Sequence, residues 1–165
     1  MNDHLFYKIN QKSTIRKELL EYALSIKEWP RPRTFLAVPV PAEIYLKDDL
    51  FEKLKSIIRP DANGIFLMKL PAQTYYGIHV DSVRQSALNM LLNDSSDSVS
   101  FFRNTKFEHT QCSITELAYE KDHWYLFNTQ QPHGVMNQGS DRYVLSIQCK
   151  LSYQDSLTFI KDNNL

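Results

Sequence analysis

The sequence is poor in cysteine, poor in glycine and free of any charge excess, and each shortage removes a class of protein. Cys112 and Cys149 stand far apart and make neither a CxxC pair nor a disulfide framework. Both fall in strand-like runs, so they are expected to be reduced and packed, neither ligands nor nucleophiles. Nineteen Lys plus Arg balance nineteen Asp plus Glu. That balance argues against a broad nucleic-acid surface, though not against a local basic patch. No apolar run approaches the length of a membrane helix, and MNDHLFYKIN lacks a signal-peptide pattern. A reducing cytoplasm is the expected compartment, with no membrane partner. No internal repeat or low-complexity tail is visible.

What is present is an ordinary globular composition, 42% apolar and 23% charged over 165 residues. The length predicts one domain, 1–165, which can bury roughly 70% of its unfolded surface without staples. The first part, about 1–60, reads as helical. Ile15, Leu19, Tyr22, Ala23 and Ile26 recur at helical spacing behind Ser13 or Thr14 as N-cap. Leu50, Phe51, Leu54, Ile57 and Ile58 mark a second helix from Asp48, stopped by Pro60. Beyond it the texture changes to short runs rich in β-branched and aromatic residues: GIFLMKL, TYYGIHV, SALNMLL, VSFF, QCSITELAY, HWYLFN, HGVMN and RYVLSIQC. Six to eight closely spaced strands over about 64–150 predict an antiparallel double sheet, a double-stranded β-helix or jelly roll, with the helices packed against it. QDSLTFIKDNNL is expected to add a last helical turn and fray.

The stretch YYGIHVDSVRQ holds His79 and Asp81. Residues i and i+2 of a strand share a face, so the two side chains project together. A strand-end ion pair is enough to explain such a pair by itself. A transition metal needs a third ligand, and His133, in QQPHGVMN, opens a strand-like run far downstream. Two histidines and one carboxylate on one side of a metal, with the other side open, suit non-haem Fe(II). Arg142 follows nine residues after His133 and would share a strand face with Val144, Ser146 and Gln148. An inward arginine is costly unless an anion meets it, and its planar fork fits a carboxylate. The bland alternative is a surface arginine paired with Asp141.

In their order and spacing, His79-x-Asp81, His133 and Arg142 resemble the Fe(II)- and 2-oxoglutarate-dependent dioxygenase superfamily, over roughly residues 64 to 150. FNTQQPHGVMNQGSDRYVLSIQ is similar to the second half of such enzymes, including prolyl and aspartyl/asparaginyl hydroxylases. The resemblance implies Fe(II) on His79, Asp81 and His133, and 2-oxoglutarate as cosubstrate with its far carboxylate on Arg142. It also implies O2 as oxidant, and hydroxylation with release of succinate and carbon dioxide. Asp81 favours hydroxylation, because related halogenases leave the carboxylate's place to a halide. Many members carry a serine two residues after the arginine; here Val144 stands there and Ser146 comes two later. Ser146, Asn89 and Tyr76 (or Tyr75) are candidate helpers for the cosubstrate carboxylate. Arg84 reads as a surface charge or as a partner of Asp81 or of a substrate anion. His109 and His123 read as surface residues, and His4 as part of the tail.

The rival reading is a non-enzymatic cupin-like jelly roll that binds a metal or small ligand. Cupins draw a closer histidine pair and a glutamate from a glycine-rich segment, and only four glycines are present. A structural β-sandwich with incidental polar residues is the second rival. The expected partner is a peptidyl side chain or a small molecule. EWPRPRTFLAVPVP and LNDSSDSVS are candidates to border the substrate mouth.

Overall fold

The computed structural model describes residues 2–30, 36–59, 64–94, 98–104 and 113–165. His109 and Cys112 lie outside these residues, as do parts of both candidate mouth segments.

The N-terminal part is mixed rather than purely helical. Strand β1 (Phe6–Lys12) precedes helix α1 (Arg16–Ser25), and β2 (Leu36–Pro39) precedes the short helices α2 (Ala42–Tyr45) and α3 (Asp49–Leu54). The helical stripe of α1 is buried at Leu19 and Ala23, and Ile15 is buried as the N-cap. Neither Ser13 nor Thr14 caps it. The Ser13 hydroxyl turns instead to the Asp48 carboxylate, with which it makes a short hydrogen bond. Asp48, 1% exposed, accepts from Leu50 N at 2.9 Å and caps α3. The second helix is shorter than its apolar stripe, because Ile58 leaves it to bridge Cys149.

Each of the eight anticipated runs contains a strand. They are β3 (Ile65–Leu70), β4 (Thr74–His79), β5 (Ala87–Leu91), β6 (Ser98–Arg103), β7 (Ile114–Leu117), β8 (His123–Phe127), β9 (His133–Asn137) and β10 (Arg142–Gln148). With β1 and β2 they form two antiparallel sheets, ordered β1-β8-β5-β10-β3-β2 and β4-β9-β6-β7. This is the jelly-roll-like arrangement of a mainly β fold. One face of the larger sheet carries Leu67, Leu88, Met90, Leu126, Leu145 and Ile147, and packs with Leu19, Leu50 and Leu54 of the helices into the main core. The other face looks toward the smaller sheet. Strands buried on both faces lose the in–out alternation, which is why β8 reads as an unbroken run.

The C-terminus is a full helix, α4 (Tyr153–Asp162), not a fraying turn. Ser152 caps it by accepting from Asp155 N at 3.1 Å, and Tyr153, Leu157 and Ile160 share its buried face. His123 is buried as well, at 7% exposure, and its Nδ1 donates to the Ile9 carbonyl at 2.9 Å. The expectation of a surface histidine fails because β1 pairs over that end of β8.

Candidate functional site

A bulge makes the site. From Thr74 to Tyr76, β4 pairs with β9 in one register (Tyr76↔Val135); at His79 the register has slipped by one residue (His79↔His133). Tyr76 and His79 are three apart, so strict alternation would turn them to opposite faces. The extra residue reverses the parity and points both inward, their rings 4.5 Å apart. Tyr75, 56% exposed, takes the outer face. Gly134 lies beneath the bulge, where a Cβ would come within 3.0 Å of the Tyr76 carbonyl oxygen and 3.1 Å of the Phe101 ring.

His79, Asp81 and His133 converge at the end of this strand pair. One donor atom from each lies within 4.8 Å of the others. His79 Nδ1 sits 2.8 Å from the Gly77 carbonyl and His133 Nδ1 2.8 Å from the Gln131 carbonyl. Each Nδ1 must carry the proton to donate there, which leaves Nε2 with its lone pair. His79 Nε2 lies 3.4 Å from Asp81 Oδ1. The Asp81 carboxylate chiefly holds the His79 pKa above its ordinary value. Burial pushes His133 down to about 4. For Asp81, burial works upward, but His79 and Arg84 outweigh it and the pKa ends below the usual carboxylate value. Neutral imidazoles and an ionised carboxylate are the states a divalent metal requires.

Asp81 lies beyond the strand end, so a second device holds it. Its N–H donates to the Thr129 carbonyl at 3.0 Å, and Arg84 Nε donates to its Oδ2 at 2.7 Å. Gln130 Nε2 donates to the carbonyls of Asp81 and Arg84 at 2.9 and 2.8 Å. Arg84 is thus a partner of Asp81, not a plain surface charge. The loop carrying Asp81 is tied to the turn that leads into His133.

Arg142 is 3% exposed. Its Nη1 and Nη2 donate to Ser98 and Ser100 at 2.6 and 2.8 Å, and its guanidinium lies 5.4 Å from the Tyr119 ring centroid. Asp141 does not pair with it; that carboxylate takes Lys69 at 2.6 Å. Among the described residues no carboxylate meets Arg142, and burial lowers its pKa. The hydroxyls that Arg142 touches are thus Ser98 and Ser100, not Ser146. Four residues of strand separate Arg142 from Ser146, about 13 Å, too far for one carboxylate to reach both. Ser146 accepts from Arg84 Nη1 at 3.0 Å instead.

The triad, Tyr76, Asn89, Arg142 and Ser146 all line one cavity of about 120 Å³, walled by Met68, Leu70, Phe127, Val135 and Val144. Asn89 sits opposite Ser146 in the β10–β5 register, and its Oδ1 is buried without a hydrogen-bond partner. Sequence reasoning missed Ser98, Ser100 and Tyr119. Burial raises the Tyr119 pKa, and Arg142, Asn89 and Ser100 beside it oppose the rise. Nothing in the sequence marks this tyrosine among nine; the pairing of β6 with β9, which faces Ser100 toward Val135, finds the serines only in three dimensions.

No known protein-family profile matches the sequence, and no curated protein matches it. Solved structures do. A prolyl hydroxylase from Trichoplax adhaerens, in complex with a hypoxia inducible factor oxygen degradation domain peptide fragment, superposes with TM-score 0.61 at 15% identity, over 95% of this chain and 87% of that one. A Pseudomonas putida prolyl-4-hydroxylase gives 0.58 at 13% identity, over 87% and 91%. HygX from Streptomyces hygroscopicus, with nickel, 2-oxoglutarate and hygromycin B bound, gives 0.57 at 10% identity, over 86% and 80%. The chain has the fold of the 2-oxoglutarate-Fe(II) oxygenases.

Proposed function

We propose that this chain is an Fe(II)- and 2-oxoglutarate-dependent dioxygenase. It would hydroxylate an unactivated C–H of a prolyl, aspartyl or asparaginyl side chain or of a small molecule, with release of succinate and carbon dioxide. A peptide fragment and hygromycin B in two of the similar structures span these two substrate classes.

The observation that carries the reading is Arg142. Among the described residues, neutral hydroxyls are the only polar partners of this buried guanidinium, and no anion there offsets its desolvation. A cupin-like metal module has no use for such a cation. The donor set fits Fe(II): two Nε2 atoms of fixed tautomer and one ionised carboxylate, all on one side. The orphaned Asn89 Oδ1 lies in the same cavity, where a bound cosubstrate would reorganise the amide's partners.

When bound, iron and 2-oxoglutarate supply oxygen activation coupled to decarboxylation. The protein's residues do the rest. His79, Asp81 and His133 would hold the metal, with both rings oriented by backbone carbonyls. Arg142, Ser98 and Ser100 would hold the far carboxylate, with Tyr119 stacked on the guanidinium. Met68, Leu70, Val135 and Val144 would exclude water around it. The test is succinate formation by the Fe(II)-reconstituted protein across peptides, amino acids and nucleobases. Stimulation by one class is expected. Succinate no higher than in the metal-free control, whatever is added, contradicts the proposal.

A further inference from the structure

The inner face of the larger sheet continues past the triad. Down β10 the inward side chains run Arg142, Val144, Ser146, Gln148; the first three face Leu70, Met68 and Phe66 of β3, and Gln148 N donates to the Gly64 carbonyl just before β3. Asp81, Arg84, Ser146 and Met68 border the cavity that holds Arg142, and they also border a second, outer cavity. Phe66 and Val83 give the outer cavity an apolar wall, with Val83 78% exposed at its lip. Ser82 and Gln148 give it neutral polar groups.

The charges of the combined site do not cancel. On the dioxygenase reading, on which this inference rests, one Fe(II), one Asp81 carboxylate, the 2-oxoglutarate dianion and Arg142 sum to zero. Lys69 is paired with Asp141 and adds nothing. Arg84 is left over. It touches Asp81 through Nε and Ser146 through Nη1, and among the described residues Nη2 has no partner. A single net positive charge on the wall of a cleft favours a single negative charge in its ligand.

We infer that the outer cavity seats the substrate, and that the substrate is a carboxylic acid with an apolar body, its carboxylate docked on Arg84 and its carbon frame against Phe66, Met68 and Val83. A phosphate dianion would overshoot the one available charge. A polycation would meet Arg84, and among the described lining residues the one acid, Asp81, is already engaged.

The probe pair is N-acetyl-L-leucine and its uncharged amide, N-acetyl-L-leucinamide. Binding is read by ligand-observed NMR on the protein loaded with redox-inert Zn(II) and 2-oxoglutarate. The acid should bind about tenfold more tightly than the amide, the usual weight of one charge-assisted contact. Arg84→Met should erase the preference. Because that variant also frees Asp81, Gln148→Glu is the second arm: it leaves the Asp81–Arg84 pair intact and sets a like charge across the cavity, so the acid should lose its advantage. Equal binding of acid and amide by the parent, no binding of the acid at millimolar concentration, or a preference that survives both substitutions overturns the inference. 2-Oxoglutarate binding to the same Zn(II) protein is measured first. If it fails, the dioxygenase reading falls and this inference with it; if it succeeds and the acid preference is absent, only this inference falls.

Discussion

A guanidinium at 3% exposure costs stability that only an anion restores. Arg142→Met therefore separates folding from function. The ligand-free variant should be more stable than the parent by roughly 1–4 kcal/mol, while 2-oxoglutarate binding weakens by roughly 2–5 kcal/mol. Urea denaturation and a 2-oxoglutarate titration check the two halves; a destabilised variant that binds 2-oxoglutarate as well as the parent would return Arg142 to a structural role. His133 gives a pH signature. Its imidazole takes a proton near 6.5 in the unfolded chain but near 4 in the folded one. Between those values the unfolded state holds more protons, so the metal-free protein loses stability as pH falls from 6.5 to 4, by at most about 3 kcal/mol. His79, with its pKa raised, acts in the opposite sense: its contribution is full below 6.5 and is lost as pH rises through the folded value. His133→Gln should flatten the acid decline, as followed by urea titrations between those pH values. An unchanged slope would mean that burial of His133 is not what acid attacks. Cys149, buried and with its pKa pushed up to about 11, should resist thiol reagents until the protein unfolds.

Two elements carry consequences beyond their own residues. The β4 bulge sets which side chains face the proposed metal position, and Gly134 is the residue that lets β4 lie there. At Gly134 a Cβ would press on the Tyr76 carbonyl at 3.0 Å, whereas at Gly77 the nearest neighbour is a Tyr75 ring atom at 3.9 Å. Gly134→Ala should therefore cost roughly 1–3 kcal/mol and weaken metal binding, and Gly77→Ala should do neither to a comparable degree. Denaturation and Co(II) titration of the pair decide it; equal effects would deny the bulge its role. Helix α4 packs on β8 and adds Tyr153, Leu157 and Ile160 to the main core. Ile160, fully buried, should cost roughly 2–5 kcal/mol when cut to alanine, with the metal site intact. A loss below 1 kcal/mol, measured as the urea midpoint, would mean that the C-terminus frays after all.

At the scale of the molecule, the strands from Ile65 onward were legible because each is a short β-branched or aromatic run bounded by turns. His79, Asp81 and His133 were legible as residue types in sequence, but Asp81 lies beyond the end of β4 and the loop ties to Thr129 and Gln130, not strand alternation, bring it to the histidines. The remainder depended on long-range pairing. Strand β1 holds Lys8, Asn10, Gln11 and Lys12 and reads as polar, yet it pairs with β8 and buries Ile9 and His123. The bulge that brings His79 opposite His133 has no local signal. The hydroxyls on Arg142 come from β6, a neighbour that spacing along β10 does not reveal. The central claim is that this fold holds Fe(II) and 2-oxoglutarate together. Titrating 2-oxoglutarate into the anaerobic Fe(II) protein, while following the visible charge-transfer band of the chelate, tests it most directly. A saturable band in the parent, shifted to far higher 2-oxoglutarate in Arg142→Ala and absent in His133→Ala, is the predicted result. Fe(II) bound tightly by the parent with no band at any 2-oxoglutarate concentration would contradict it.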